Sequence, residues 1–162
     1  MSTPTPTLET VLTAIKTVMV ALAPTIGTVR EFDRTLDSEL EDLELFQAGD
    51  FSIHLWTIEL EGIDEVEGEA SGEHYSIYRI RIRYDSVIKA SASSAWSKTA
   101  RERAELVRDG LNKNAAVFRI SGQVQLREPE AVEIRSHGFV DVEDQKVYRT
   151  DLALRVEARR WS

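Results

Sequence analysis

The stretch HYSIYRIRIRYD, His74 to Asp85, alternates strictly over its second half. Tyr78, Ile80, Ile82 and Tyr84 occupy the even positions, and Arg79, Arg81 and Arg83 lie between them. Successive side chains of a β-strand point to opposite faces, so a strand here has one apolar side and one lined by arginines. The apolar side needs a covering layer, and the other needs anions. The chain holds 28 Asp and Glu against 20 Lys and Arg, so anions are plentiful.

Their distribution is uneven. Residues 31–73 carry fifteen acids and the single base Arg34, whereas residues 74–162 carry seventeen bases and twelve acids. Two readings follow. Either the fold interleaves the two segments as a solvated, salt-bridged surface, or an acidic patch on one copy meets a basic patch on a neighbour.

The 162 residues suit one domain, 1–162, with 42% hydrophobic residues and a globular composition. No cysteine is present, which excludes disulfides and Cys-based zinc and suits a reducing cytoplasm. MSTPTPTLET lacks the basic start and apolar run of a secretory signal. The longest apolar region, Val11 to Ala23, is interrupted by Lys16 and is short for a membrane span.

Thr5-Pro6-Thr7 reads as a helix start, with a capping threonine beside a proline that fits the first turn. Leu8, Val11, Leu12, Ile15, Val18, Met19 and Leu22 then recur at helical spacing, predicting an amphipathic helix that ends near Ala23-Pro24. A short strand is expected from about Thr25 to Phe32. Asp37 to Ala48 places Leu36, Leu40, Leu43 and Phe46 near one stripe, with Gly49 to close a short acidic helix. FSIHLWTIEL and the opening stretch are strands, and the Gly- and acid-rich EGIDEVEGEASGE between them reads as an extended hairpin arm with a mobile tip. SASS at 91–94 is a loop and helix cap. Trp96, Ala100, Ala104, Val107 and Leu111 mark a second helix over 95–112. VFRI (117–120), VQLR (124–127), VEIR (132–135), GFVDV (138–142) and VYRTDLALRVEA (147–158) are strand candidates, with Glu143-Asp144-Gln145-Lys146 a hairpin turn. The order predicts an α+β domain, a mainly antiparallel β-sheet with two amphipathic helices packed on one side and an extended β-hairpin arm.

No catalytic constellation stands out, and no enzymatic activity, metal or cofactor is expected. His54, His74 and His137 lie far apart in sequence and in no metal-ligand spacing. His54 and His74 could meet across the central hairpin, where a structural or exposed role is expected of them. No P-loop, GxGxxG or GxSxG occurs. Nucleic-acid binding is the obvious reading of the Arg79, Arg81, Arg83 strand with Tyr75, Tyr78 and Tyr84 beside it. Against it, Tyr78 and Tyr84 share the isoleucine face, and the net charge of −8 repels a polyanion. Neither helix has the basic face that membrane binding requires.

The order of features resembles the tail terminator (tail completion) proteins of long-tailed bacteriophages. LETVLTAIKTVMVALA leads, SIYRIRIRY follows, the Trp-bearing SAWSKTARERAELVRDGL comes next, and SHGFVDVEDQKVYRTDLALRVEARRW closes the chain. The acidic region 36–73 is longer than the simplest members need, so it reads as an arm or insert. The resemblance implies a homo-oligomeric ring, a hexamer, that caps the tail tube, ends its polymerisation and meets the head-side connector. Other neck and head–tail joining proteins share related folds. DNA would pass the lumen unbound, and the protein would reside in the virion after assembly in the host cytoplasm. A ring needs heterologous contacts. The charge division would supply them through Arg79, Arg81 and Arg83 against Glu39, Glu41 and Asp42 of a neighbour. Asp64, Glu65, Glu67 and Glu69 would then contact the tail tube or connector.

Overall fold

A computed structural model describes residues 7–22, 26–31, 36–67, 72–88, 96–113, 124–126 and 132–161. Along the chain these form α1 (Leu8–Ala21), β1 (Thr28–Glu31), α2 (Glu39–Glu44), β2 (Phe51–Glu67), β3 (Glu73–Ile88), α3 (Trp96–Lys113), β4 (Val124–Leu126), β5 (Glu133–Val142) and β6 (Gln145–Trp161). The class is α+β with a mostly antiparallel sheet. Strand order is β1-β2-β3-β6-β4, and β5 shares with β4 the outer side of β6. β1 alone runs parallel to its neighbour, β2.

β3 is the centre of the molecule. It pairs with β2 from Ile88 to His74 and with β6 from Ser86 to Glu73. Tyr78, Ile80, Ile82 and Tyr84 are buried with Leu152, Leu154 and Val156 of β6 and Trp56 and Ile58 of β2. The buried stripe of α1 (Val11, Leu12, Ala14, Ile15, Val18, Met19) and that of α3 (Ala100, Ala104, Val107, Leu111) join this same core. Each large aliphatic side chain so buried contributes about 2 kcal/mol.

The helix starts at the end of the expected Thr5-Pro6-Thr7 signal. Thr7 is the N-cap of α1, accepting from the Thr10 amide while Thr10 reaches back to the Thr7 amide. Thr5 and Pro6 fall outside the described residues, as do SASS and VFRI. β2 is buried on both sides at its start. Ile53 and Leu55 belong to a second, smaller core with Leu43, Val87, Val142 and Val147, while Trp56 and Ile58 face α1 and α3. The alternation in FSIHLWTIEL blurs at Trp56 for that reason. Leu43 brings α2 to this second face, with Leu40 and Phe46 half-buried beside it and Leu36 exposed. The expected four-residue stripe therefore narrows to three.

The arm also differs from expectation. Gly62 to Glu67 pair with β3, but β6 runs on beside β3 to Trp161 and β4 pairs with β6 at Val156 to Ala158, so the arm is an extension of the whole sheet and not a free hairpin. VEIR and GFVDV form a single strand, β5, bulged between Ile134 and Ser136. The β5–β6 turn is tighter than the expected four residues. Glu143 (φ 47°) and Asp144 (φ 70°) make it, and Gln145 and Lys146 already pair in β6.

Candidate functional surface

Register places the arginine ladder in three cross-strand rows. Thr57, Arg83 and Asp151 form one, Glu59, Arg81 and Ala153 the next, and Gly62, Arg79 and Arg155 the third. Each ladder arginine meets an acid of its own chain. Arg83 holds Asp151 through two contacts of 2.7 and 3.0 Å. Arg81 holds Glu59, and Arg79 lies 3.1 Å from Asp64. Burial falls along the ladder. The Arg83 and Asp151 side chains are 23% and 20% exposed, whereas Arg79 and Asp64 are 43% and 49% exposed.

Glu39 and Asp42, expected to face the ladder of a neighbour, make ion pairs within their own chain. They lie on α2, where Asp42 is buried against Arg30 at 2.5 Å and Glu39 reaches Arg149 at 2.7 Å. Glu41 is exposed. Arg149 also holds buried Asp85 at 2.7 Å. Burial pushes the Asp85 carboxyl above the usual carboxylate range, and Arg149 and Arg83 offset part of that rise. Burial opposes the charge on Arg149, yet Asp85 and Glu39 together hold its pKa above the ordinary value. The pairs Glu39–Arg149, Glu59–Arg81 and Asp64–Arg79 join the acidic and basic segments within one chain, and the exposed pair Arg135–Glu61 does so again at 3.6 Å. Interleaving is thus what the fold does with its divided charge.

A cleft of about 200 Å³ opens between α2 and the ladder, lined among others by Arg30, Asp42, Thr57, Glu59, Arg81 and Asp85. Its mixed signs give a polyanion no continuous cationic track. Tyr78 and Tyr84, offered by the sequence as stacking groups, are fully buried on the opposite face.

The proposed partner-contact acids lie on the sheet extension. Asp64 is committed to Arg79, Glu65 accepts from Ser76 Oγ at 2.8 and 2.9 Å, and Glu67 is exposed. Glu69 lies outside the described residues. Every residue from Glu61 to Glu67 is exposed except half-buried Gly62, and Ile63 and Val66 are 46% and 45% exposed among the acids.

The histidines do not converge. His54 is opposite Ser86 and His74 opposite Glu67, at opposite ends of the β2–β3 pair. No group of three potential metal ligands occurs among the described residues. Sequence reasoning passed over what His54 does. It is buried, its Nδ1 lies 2.7 Å from the Tyr84 hydroxyl and its Nε2 lies 2.8 Å from Arg103 Nη1 of α3. The signal was present as a histidine embedded in the apolar run Phe51 to Ile58, but Arg103 lies 49 residues away.

No helix among the described residues is long and apolar enough to cross a membrane. No protein-family model and no curated protein matches the chain.

Proposed function

We propose that this chain is a ring-forming structural subunit of the tail or neck of a long-tailed phage, of the tail terminator kind. The observation that carries the reading is the extension of the sheet by β2, β3 and β6, with β4 along β6. Its outer segment, Glu61 to Glu67, displays Ile63 on the Tyr78 face and Val66 on the opposite face, each beside acids, on the part of the sheet farthest along from the second core. One exposed β-branched residue beside acids on each face suits the extension to contact with a protein partner. The element order supports the same reading: α1, the arginine strand, α3 and a closing hairpin whose last strand reaches Trp161.

In this reading the extension contacts the last ring of tail-tube protein or the head-side connector, and the neighbouring subunit packs beside the ladder. Arg79 is the ladder member with the most surface left for a neighbour, being 43% exposed. Arg81 and Arg83 serve mainly their own chain. The finer architecture implied is that of the family, with the two long helices on one side of the sheet.

Light scattering after size exclusion should give a hexamer, formed by the protein alone or on addition of the tail tubes of its own phage. Negative-stain images should show rings at tube ends. A monomer at all concentrations and salts that leaves tube length unchanged would overturn the proposal.

A further inference from the structure

Among the described residues, the half-buried cation Arg103 is held against the buried His54. Arg103 rises from the middle of α3 and donates to His54 Nε2 at 2.8 Å, with its guanidinium 4.9 Å from the Phe51 ring centroid. Arginine has only donors, so Nε2 must carry a lone pair. The proton of the neutral imidazole is then on Nδ1, which donates to the Tyr84 oxygen at 2.7 Å. Both ring nitrogens are committed, and the ring is 2% exposed.

The surroundings hold the ring in place. Gly27, at φ +99°, lies so close that a Cβ there would collide with the imidazole. Tyr84 stacks on Trp56 at 4.4 Å, and the Trp56 indole donates to the Ile26 carbonyl at 2.9 Å. The groups that face the imidazole are Arg103 from α3, Tyr84 from β3 and the main chain at Ile26, with Phe51 alongside. No carboxylate among the described residues compensates a charge on the ring.

We propose that His54 is an acid-sensitive latch for α3. A proton taken from solvent onto Nε2 removes the acceptor of Arg103 and sets two cations against each other inside the fold. The imidazole cannot retreat toward Gly27, so the guanidinium on α3 is the group that moves. Trp96, the first residue of α3, is tied to the sheet by its indole N–H on Ser86 Oγ at 3.1 Å and by an edge contact with Phe139. Loss of Arg103 leaves that contact and the Ala100–Ala104 stripe as the anchors of the first half of α3. The neutral ring latches the helix, and the imidazolium frees it. Burial and the Arg103 charge set the release well into the acid range, with the His54 pKa lowered to about 4.

The test combines amide hydrogen exchange of α3 with proton NMR of the His54 ring, on the full chain between pH 7.5 and 3.5. In the native protein, protection of the first half of α3 should fall together with ring protonation, before the sheet amides open. Arg103→Met keeps the stem and removes the charge, and should raise the His54 midpoint by about one pH unit. His54→Gln keeps an acceptor for Arg103 and cannot titrate, so α3 should stay protected to lower pH. An unchanged midpoint in Arg103→Met, or release of α3 at the native pH in His54→Gln, would overturn the latch and assign acid sensitivity to the carboxylates. Should His54→Gln not fold, the midpoint in Arg103→Met decides alone.

Discussion

Arg79 and Arg83 are two residues of one ladder with different duties. The Arg83–Asp151 pair is about four-fifths buried and doubly bonded, so removing the cation strands a carboxylate. Arg83→Ala should lower the unfolding free energy by about 3 kcal/mol, read from urea denaturation. Arg79→Ala, which opens a half-exposed pair, should change it by less than about 1 kcal/mol. Reversing all three ladder charges therefore tests folding and assembly together, whereas Arg79→Glu alone isolates assembly. At Gly27, alanine meets both a left-handed backbone and the His54 ring. Gly27→Ala should destabilise by about 3 kcal/mol or more. For His54 the sign follows from its lowered pKa. The folded state binds its proton less well than the unfolded chain, so this contribution is fully present above about pH 6.5 and is lost as pH falls toward about 4. The full span amounts to about 3 kcal/mol, and a His54→Gln variant should lack that part of the acid loss.

At the scale of elements, α2 shows how a six-residue helix is kept. Too short to persist alone, it is held by Leu43, by the Asp42–Arg30 and Glu39–Arg149 pairs, and by a cap borrowed from the far hairpin. The Glu143 carboxylate accepts from the Leu40 amide at 2.7 Å and from Ser38 Oγ at 2.6 Å. Glu143→Ala should weaken α2 by about 1 kcal/mol, seen as faster amide exchange over Glu39–Glu44 with the sheet unaffected. This element also marks the limit of legibility. The apolar spacing announces a helix, because amphipathicity is local. Glu143 lies more than a hundred residues away, and nothing near it in the chain distinguishes a cap from an ordinary turn acid. Likewise the alternation of β3 declared which face is buried. It could not say that β6, and not solvent, lies along the outer side of the arm, because pairing order is a long-range property.

For the molecule as a whole, β2, β3 and β6 run through both cores, so neither core can open while the other keeps its sheet intact. Urea unfolding followed by tryptophan fluorescence and by circular dichroism should give coincident transitions at neutral pH; separated transitions would show that the smaller core melts alone. The candidate surface was legible only in part. The acids of the extension and the arginines were visible as sequence, but their mutual neutralisation was not, since opposite charges far apart in a chain do not declare their contacts. One consequence of the bulge between Leu60 and Gly62 concerns deletions. Leu60 pairs with Ile80 and Gly62 with Arg79, so Glu61 is a supernumerary residue. Removing it would leave Asp64 beside Arg79 and keep every later side chain of β2 on its present side. Removing any one residue between Gly62 and Glu67 would exchange the two sides from that point outward. Glu61 is therefore a position in the arm where the chain can be shortened without turning the extension inside out.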